Sequence, residues 1–165
     1  MIDFVSIPKE RLKVLVEEKK SLRNLEKFSN SKIKLDDVVT IECDDSLMML
    51  RLKEVIRAFG RGFDLEDAMD LLDESYALET IDVSDFAGKS KSRQIVLKGR
   101  VIGREGSMQE FIAKKSDVKI SIYGKTISIV GMWDNVQNAK QIIEKLLRGA
   151  KHSSVYRFYE ERPVR

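Results

Sequence analysis

The sequence predicts an α+β chain of two tandem units, each ordered β-α-α-β-β-α, a three-stranded sheet packed on three helices, with a connecting helix between them. Three observations lead there. The first is an internal repeat at an offset of 87 residues. Ser29-Asn30-Ser31-Lys32-Ile33-Lys34-Leu35 lies over Ser116-Asp117-Val118-Lys119-Ile120-Ser121-Ile122, Leu25 over Ile112, and Val55–Gly62 over Ile142–Gly149. It is the apolar spacing that repeats more than the identities, as two copies of one small fold would share. The second is that each copy passes from helical to alternating apolar spacing and back to helical. The third is a division of charge. Residues 1–87 hold 13 Lys+Arg against 20 Asp+Glu, a balance of −7, and residues 88–165 hold 17 against 7, a balance of +10.

In the first unit (residues 1–76), Phe4-Val5-Ser6-Ile7 reads as a short strand. Pro8 opens a helix in its first turn, where a missing N–H costs little, and Leu12, Leu15 and Val16 form the apolar face. A second helix starts near Ser21 with Leu22, Leu25 and Phe28 facing in. Lys32–Leu35 and Val38–Glu42 form two strands around an Asp36-Asp37 turn. A long amphipathic helix from Ser46 to Phe59 closes the unit, with Gly60 and Gly62 as stop signals. The connecting helix is expected over Asp64–Glu74, its apolar stripe being Leu65, Ala68, Met69, Leu71 and Leu72.

In the second unit (residues 77–165), a strand is expected near Glu79–Phe86, followed by a polar, basic loop, Gly88-Lys89-Ser90-Lys91-Ser92. A helix carries Ile95, Val96 and Leu97 up to Arg100, and a turn at Gly103–Gly106 leads into a helix over Ser107–Lys115. Strands Val118–Tyr123 and Thr126–Val130 flank a Tyr123-Gly124-Lys125 turn. The closing helix spans Trp133–Arg148, with Asp134 as its cap and Trp133 packed at the core or its boundary. The tail from His152 carries Tyr156, Phe158 and Tyr159, which could stack bases or dock the tail on the body, together with Arg157, Arg162 and Arg165.

The composition narrows the function. Hydrophobic residues at 42% with 35% charged describe a folded chain rather than a disordered one. One cysteine, Cys43, and one histidine, His152, cannot build a disulfide framework or a Cys/His zinc site. A Ser-His-Asp triad would have to use His152, in a polar stretch, so a non-enzymatic protein is expected. Glu17-Glu18 and Glu160-Glu161 are adjacent pairs whose side chains diverge, unlike an acid/base couple. Ala87-Gly88-Lys89-Ser90 has the ending of a nucleotide phosphate loop, but the glycine needed five residues before Gly88 is Val83. The apolar runs fall far short of a bilayer span and no charged-then-apolar leader opens the sequence, so a cytoplasmic protein is expected.

The segment that carries chemistry is Val101-Ile102-Gly103-Arg104-Glu105-Gly106, followed by Ser107-Met108-Gln109-Glu110-Phe111-Ile112. Two glycines three apart join two helices. Glycine adopts backbone angles closed to other residues and has no side chain, so a nucleic-acid backbone can come close to the main chain. The second helix starts at this turn, and its unpaired N–H groups and positive dipole end would face the phosphates. Arg104 adds a cation. The neighbouring strand offers Ile120 and Ile122 as an apolar floor, which suits bases on one side and phosphates on the other.

Here the sequence resembles the KH family of the eukaryotic type (type I), through Val101–Ile112, Ser116–Ile122, the strand pair to Val130 and the final helix. The resemblance implies that the loop Gly103, Arg104, Glu105 and Gly106 holds about four single-stranded nucleotides; the RNA contacts expected are that loop together with Lys98, Arg100, Ile102, Ser107, Ile120, Ile122 and Lys125. Two positions depart from the pattern: Glu105 puts an anion where a second cation is common, and Asp117 stands in place of a usual glycine. The basic loop around Lys89 would extend the same surface. In the first unit Val16-Glu17-Glu18-Lys19 occupies the loop position, with no glycine and two acids, so this copy is expected to keep the scaffold and to have lost that mode of binding. A degenerate first unit, Ile-Gly-Arg-Glu-Gly, a Tyr-Gly-Lys-Thr turn and a Ser-Val-Tyr-Arg-Phe tail together resemble the archaeal KH proteins related to the eukaryotic partner-of-Nob and Krr ribosome assembly factors. That resemblance implies binding near the 3′ end of small-subunit ribosomal RNA and contact with a Nob-type endonuclease. It also implies, as a further partner, the alpha subunit of translation initiation factor two. The rival expectation is a protein-protein adaptor that uses KH folds as scaffold.

Overall fold

Packing keeps the offset of 87 as closely as the sequence does. In the computed structural model, which describes residues 1–161, the first unit comprises β1 (Ile2–Val5), α1 (Lys9–Glu17), α2 (Lys19–Ser29), β2 (Lys32–Leu35), β3 (Val39–Glu42), α3 (Ser46–Gly60) and α4 (Leu65–Ala68). The second comprises β4 (Tyr76–Asp82), α5 (Ser84–Ala87), α6 (Lys91–Ile102), α7 (Ser107–Ser116), β5 (Val118–Tyr123), β6 (Thr126–Met132), α8 (Trp133–Leu147) and α9 (His152–Glu161). The closing helices α3 and α8 lie 87 residues apart at both ends. So do the left-handed residues that end α2 and α7, Asn30 (φ 51°) and Asp117 (φ 54°). Asn and Asp are the non-glycine residues that take this conformation most readily, so Asp117 does the job of the usual glycine.

Each unit has a three-stranded sheet, ordered β1-β3-β2 in the first and β4-β6-β5 in the second. Contacts divide the chain into a compact unit Met1–Leu78 and a second from Glu79 onward. The first core centres on Leu15, Leu25, Ile41, Leu52, Ile56 and Phe59, and the second on Met108, Ile112, Ile127, Ile129, Ile142 and Ile143. Each such side chain contributes about 1.5–3 kcal/mol by leaving water. Asp45 caps α3 by accepting from the N–H groups of Leu47 (2.9 Å) and Met48 (3.2 Å), and Ser90 caps α6 by accepting from Arg93 N–H at 3.3 Å.

Several expectations need correction. The first strand is Ile2–Val5, because it pairs with β3 from Ile2↔Glu42 to Val5↔Val39. Pro8 stands just before α1 rather than in its first turn. Val16 is 43% exposed and Phe28 69% exposed; the buried positions of α2 are Leu22, Leu25 and Ser29, and Phe28 lies off that stripe. The connecting helix is broken: α4 ends at Ala68 and the chain tightens into a 3-10 turn over Met69–Leu72. The strand expected over Glu79–Phe86 starts at Tyr76 and ends at Asp82, whose carboxylate accepts from the N–H (2.9 Å) and Oγ (2.6 Å) of Ser84 and turns the chain into α5. The basic loop is correspondingly short, since α6 begins at Lys91. Strand β6 runs on to Met132, and α8 starts without a side-chain cap, so Asp134 is not one. Trp133, first in that helix, is 60% exposed; the buried face begins at Val136. The tail is a helix, and it docks. Val155 is buried, the Phe111 ring meets those of Tyr156 and Tyr159 edge-on at centroid distances of 4.6 and 5.5 Å, and Tyr159 Oη hydrogen-bonds Ser116 Oγ. Arg162 and Arg165 lie outside the described residues.

Candidate nucleic-acid interface

Two helices meet in the second unit at a turn whose glycines do different work. Gly103 (φ +74°, ψ 178°) lies in a region open only to glycine. A Cβ there would sit 2.7 Å from both Cβ and N of Met108, which is fully buried under the first turn of α7. Gly103 is therefore demanded by packing. Gly106 (φ +78°) is left-handed, but a Cβ on it would meet nothing. Its bareness serves only the outside. Between them Arg104 and Glu105 form an exposed 3-10 turn, closed by Gly106 N–H donating to the Gly103 carbonyl at 3.3 Å. No side chain caps α7, so its positive end opens on the turn that holds Gly103, the exposed Arg104 and Gly106.

Strand β5 is an edge strand. Ile120 and Ile122 pair across to the fully buried Ile129 and Ile127, so they face the helices at the margin of the core, half-covered. Gln109 of α7 holds that strand by donating to the Ile120 carbonyl at 3.4 Å. Lys98 of α6 donates to the Gly124 carbonyl at 2.9 Å, tying the helix to the β5–β6 turn. Lys125 in that turn lies 3.7 Å from the Asp82 carboxylate. The two hydrogen bonds from Ser84 and, less strongly, Lys125 hold Asp82 below the usual carboxylate range. Ile102, Gly103, Arg104, Glu105, Gly106 and Ser107 thus gather at the start of α7, the helix that Gln109 ties to β5 and its Ile120 and Ile122, while Lys98 and Lys125 stand at the β5–β6 turn.

Arg100 is turned elsewhere. Its guanidinium donates from Nε to the Leu146 carbonyl (3.0 Å) and from Nη2 to the Ala150 carbonyl (2.6 Å), closing the C-terminal end of α8. His152 Nε2 donates to the Arg100 carbonyl at 2.7 Å. The first unit repeats the device with Arg11, which donates to the carbonyls of Phe59 and Phe63, both at 2.9 Å. The acceptors stand 87 residues apart and the arginines 89, which is why the repeat does not reveal them. Arg100→Met should therefore cost about 2–4 kcal/mol of stability through two orphaned charge-assisted bonds, measured by urea denaturation, while folded protein binds RNA within about twofold of the parent.

Sequence reasoning also passed over Gly99. It sits mid-helix and exposed, and a Cβ on it would meet nothing; an unforced glycine inside a helical pattern is the signal that could have found it. In the first unit only Glu18 separates α1 from α2, with no glycine and no bare turn. Among the described residues no cluster of three or more His, Cys, Asp or Glu could hold a metal ion.

Comparison with known proteins matches residues 77–163 to a family model for the second KH domain of PNO1, described as a eukaryotic-type KH domain (KH-domain type I). A KH domain-containing protein of Methanocaldococcus jannaschii is 39% identical over 96% of this chain and 73% of its own length. The pre-rRNA-processing protein PNO1 of Yarrowia lipolytica is 31% identical over 68% of this chain, which spans 44% of that protein. Among solved structures, a chain of the a/eIF2alpha–aDim2p–rRNA complex from Pyrococcus horikoshii OT3 superposes with a TM-score of 0.87. It is 36% identical, with 98% of this chain and 93% of that chain covered.

Proposed function

The chain belongs to the eukaryotic-type (type I) KH family in its PNO1 form, and from that premise we propose that it is a cytoplasmic, non-enzymatic protein that binds single-stranded RNA through its second unit, near the 3′ end of small-subunit ribosomal RNA, during ribosome assembly. The observation that carries this reading is the bare turn Gly103–Gly106 at the uncapped start of α7, beside the half-covered Ile120 and Ile122. The relatives support the RNA class and the process: one is a pre-rRNA-processing protein, and the Pyrococcus complex contains rRNA. The +10 balance of residues 88–165 favours a polyanion on this half. The Pyrococcus complex also contains a/eIF2alpha, so the alpha subunit of initiation factor two belongs to the same proposal as a protein partner. A Nob-type endonuclease joins it by family resemblance. This chain spans 44% of the yeast relative's length.

Salt dependence separates this reading from a protein adaptor. If the loop neutralises three to four phosphates, the slope of log K against log salt is about −2 to −3, and affinity falls about 20- to 50-fold between 50 and 200 mM KCl. Fluorescence anisotropy with a labelled single-stranded rRNA 3′-end oligonucleotide measures it. An adaptor that scarcely touches RNA gives no such slope.

A further inference from the structure

The helix that follows the closing helix starts at the same offset in both units, α4 at Leu65 and α9 at His152, 87 residues apart. Its anchor is shared as well: Ala68 and Val155 occupy one position of the repeat, and both are buried. Beyond that anchor the two units part. In the second, α9 continues to Glu161, and the rings of Tyr156 and Tyr159 close on Phe111 of α7. In the first, the chain tightens after Ala68. Met69 and Leu72 hold the positions of those tyrosines, and Asn24 of α2 holds that of Phe111. The filling ring is absent, and a groove of about 670 Å³ remains, lined by Asn24 and Phe28 of α2 and by Met69, Leu72 and Tyr76. All of these lie within the unit Met1–Leu78. Phe28 is 69% exposed, whereas the same position of the second unit is Lys115. The first core does not need that ring, since α2 buries Leu22, Leu25 and Ser29 instead. The groove is also acidic. Asp70 and Asp73 line it without any Lys or Arg, and residues 65–76 hold five Asp/Glu and no Lys or Arg. Ser75 donates from its N–H (2.9 Å) and Oγ (2.7 Å) to Asp73 Oδ1 and holds that carboxyl below its usual range.

We propose that this groove seats the apolar face of a basic amphipathic helix from a partner protein. A large apolar or aromatic side chain of that helix fills the place that Phe111 and its tyrosines fill in the second unit, and its lysines or arginines meet Asp70 and Asp73. The repeat indicates the occupant's shape, because the element that closes this position in the second unit is a helix presenting aromatic rings. Charge indicates the rest. RNA would bring phosphates against two carboxylates on a half that already carries a balance of −7, whereas a cationic helix finds complementary charge around an apolar anchor. The inference concerns the first unit and stands apart from the RNA reading of the second.

The test uses the full chain and a fluorescein-labelled helical peptide with Leu and Phe at i, i+3, i+4 and i+7 and with Lys and Ala elsewhere, read by anisotropy and by amide chemical shifts. The amides of Asn24, Phe28 and Met69 through Asp73 should move on titration. A twin peptide with Glu in place of each Lys should bind at least about tenfold more weakly. Phe28→Ser removes an exposed ring, so it should leave the melting temperature almost unmoved and lower peptide affinity about tenfold or more. Asn24→Phe gives the first unit the ring that the second has; it should raise the melting temperature and weaken the peptide at least as much, because the groove is then filled from within. Peptide binding that survives both variants, or equal binding of the Glu twin, overturns the proposal. So does movement of the groove amides with single-stranded RNA, which would make RNA the occupant, or self-association of the parent chain that Phe28→Ser abolishes, which would make it a second copy.

Discussion

Replacing Arg104 and Glu105 together by aspartate should lower single-stranded RNA affinity by at least about 30-fold, a loss of about 2 kcal/mol, with the melting temperature almost unmoved. Both side chains are exposed on the turn and neither is held by packing. Glu105 has left-handed backbone (φ 56°), and aspartate takes that conformation more readily than glutamate, so the turn keeps its shape. What changes is the charge at the mouth of α7, from zero to −2 at the tip. A phosphate approaching the helix end then meets two anions where it met one cation and one anion. Anisotropy with the rRNA oligonucleotide and a thermal melt by circular dichroism separate lost binding from lost fold.

The two glycines should respond very differently to alanine. Gly103→Ala places a methyl group 2.7 Å from Met108 Cβ and backbone N, and Met108, fully buried in the core, cannot retreat. Backbone strain at φ +74° adds about 1–3 kcal/mol and overpacking about 1–3 kcal/mol, so the second unit should lose about 3–5 kcal/mol and much of its cooperativity in urea. Gly106→Ala meets only open space, so its cost is the left-handed backbone alone, about 1–2 kcal/mol. Yet Gly106→Ala should weaken RNA binding, because the methyl group stands where sugar-phosphate would rest. Equal destabilisation by the two changes would contradict this division of labour.

From Ser29 and Ser116 onward the fold is legible in the sequence, because the apolar spacing there is strict and α3 and α8 keep one register end to end. Upstream the offset fails. The second unit inserts α5 through an Asp82–Ser84 turn and lengthens its first helix, and neither leaves an apolar signature. Phe28 and Trp133 mislead because large apolar side chains read as core whatever their angular position, and here both lie outside it. The loop is legible because Gly-x-x-Gly interrupts two helical patterns at once, and two bare positions so close together suit a surface that something must approach. Arg100 is not, since a cation two residues from Ile102 looks alike whether it faces phosphate or caps a helix; only the Leu146 and Ala150 carbonyls distinguish the two.

Amide chemical-shift mapping of the full chain with the single-stranded rRNA oligonucleotide asks most directly where the RNA lies. The largest changes should fall on the N–H groups of Gly103 through Met108, with a second cluster at Ile120–Ile122 and Lys125. Changes confined to other surfaces, with the turn silent at saturating RNA, would contradict the account.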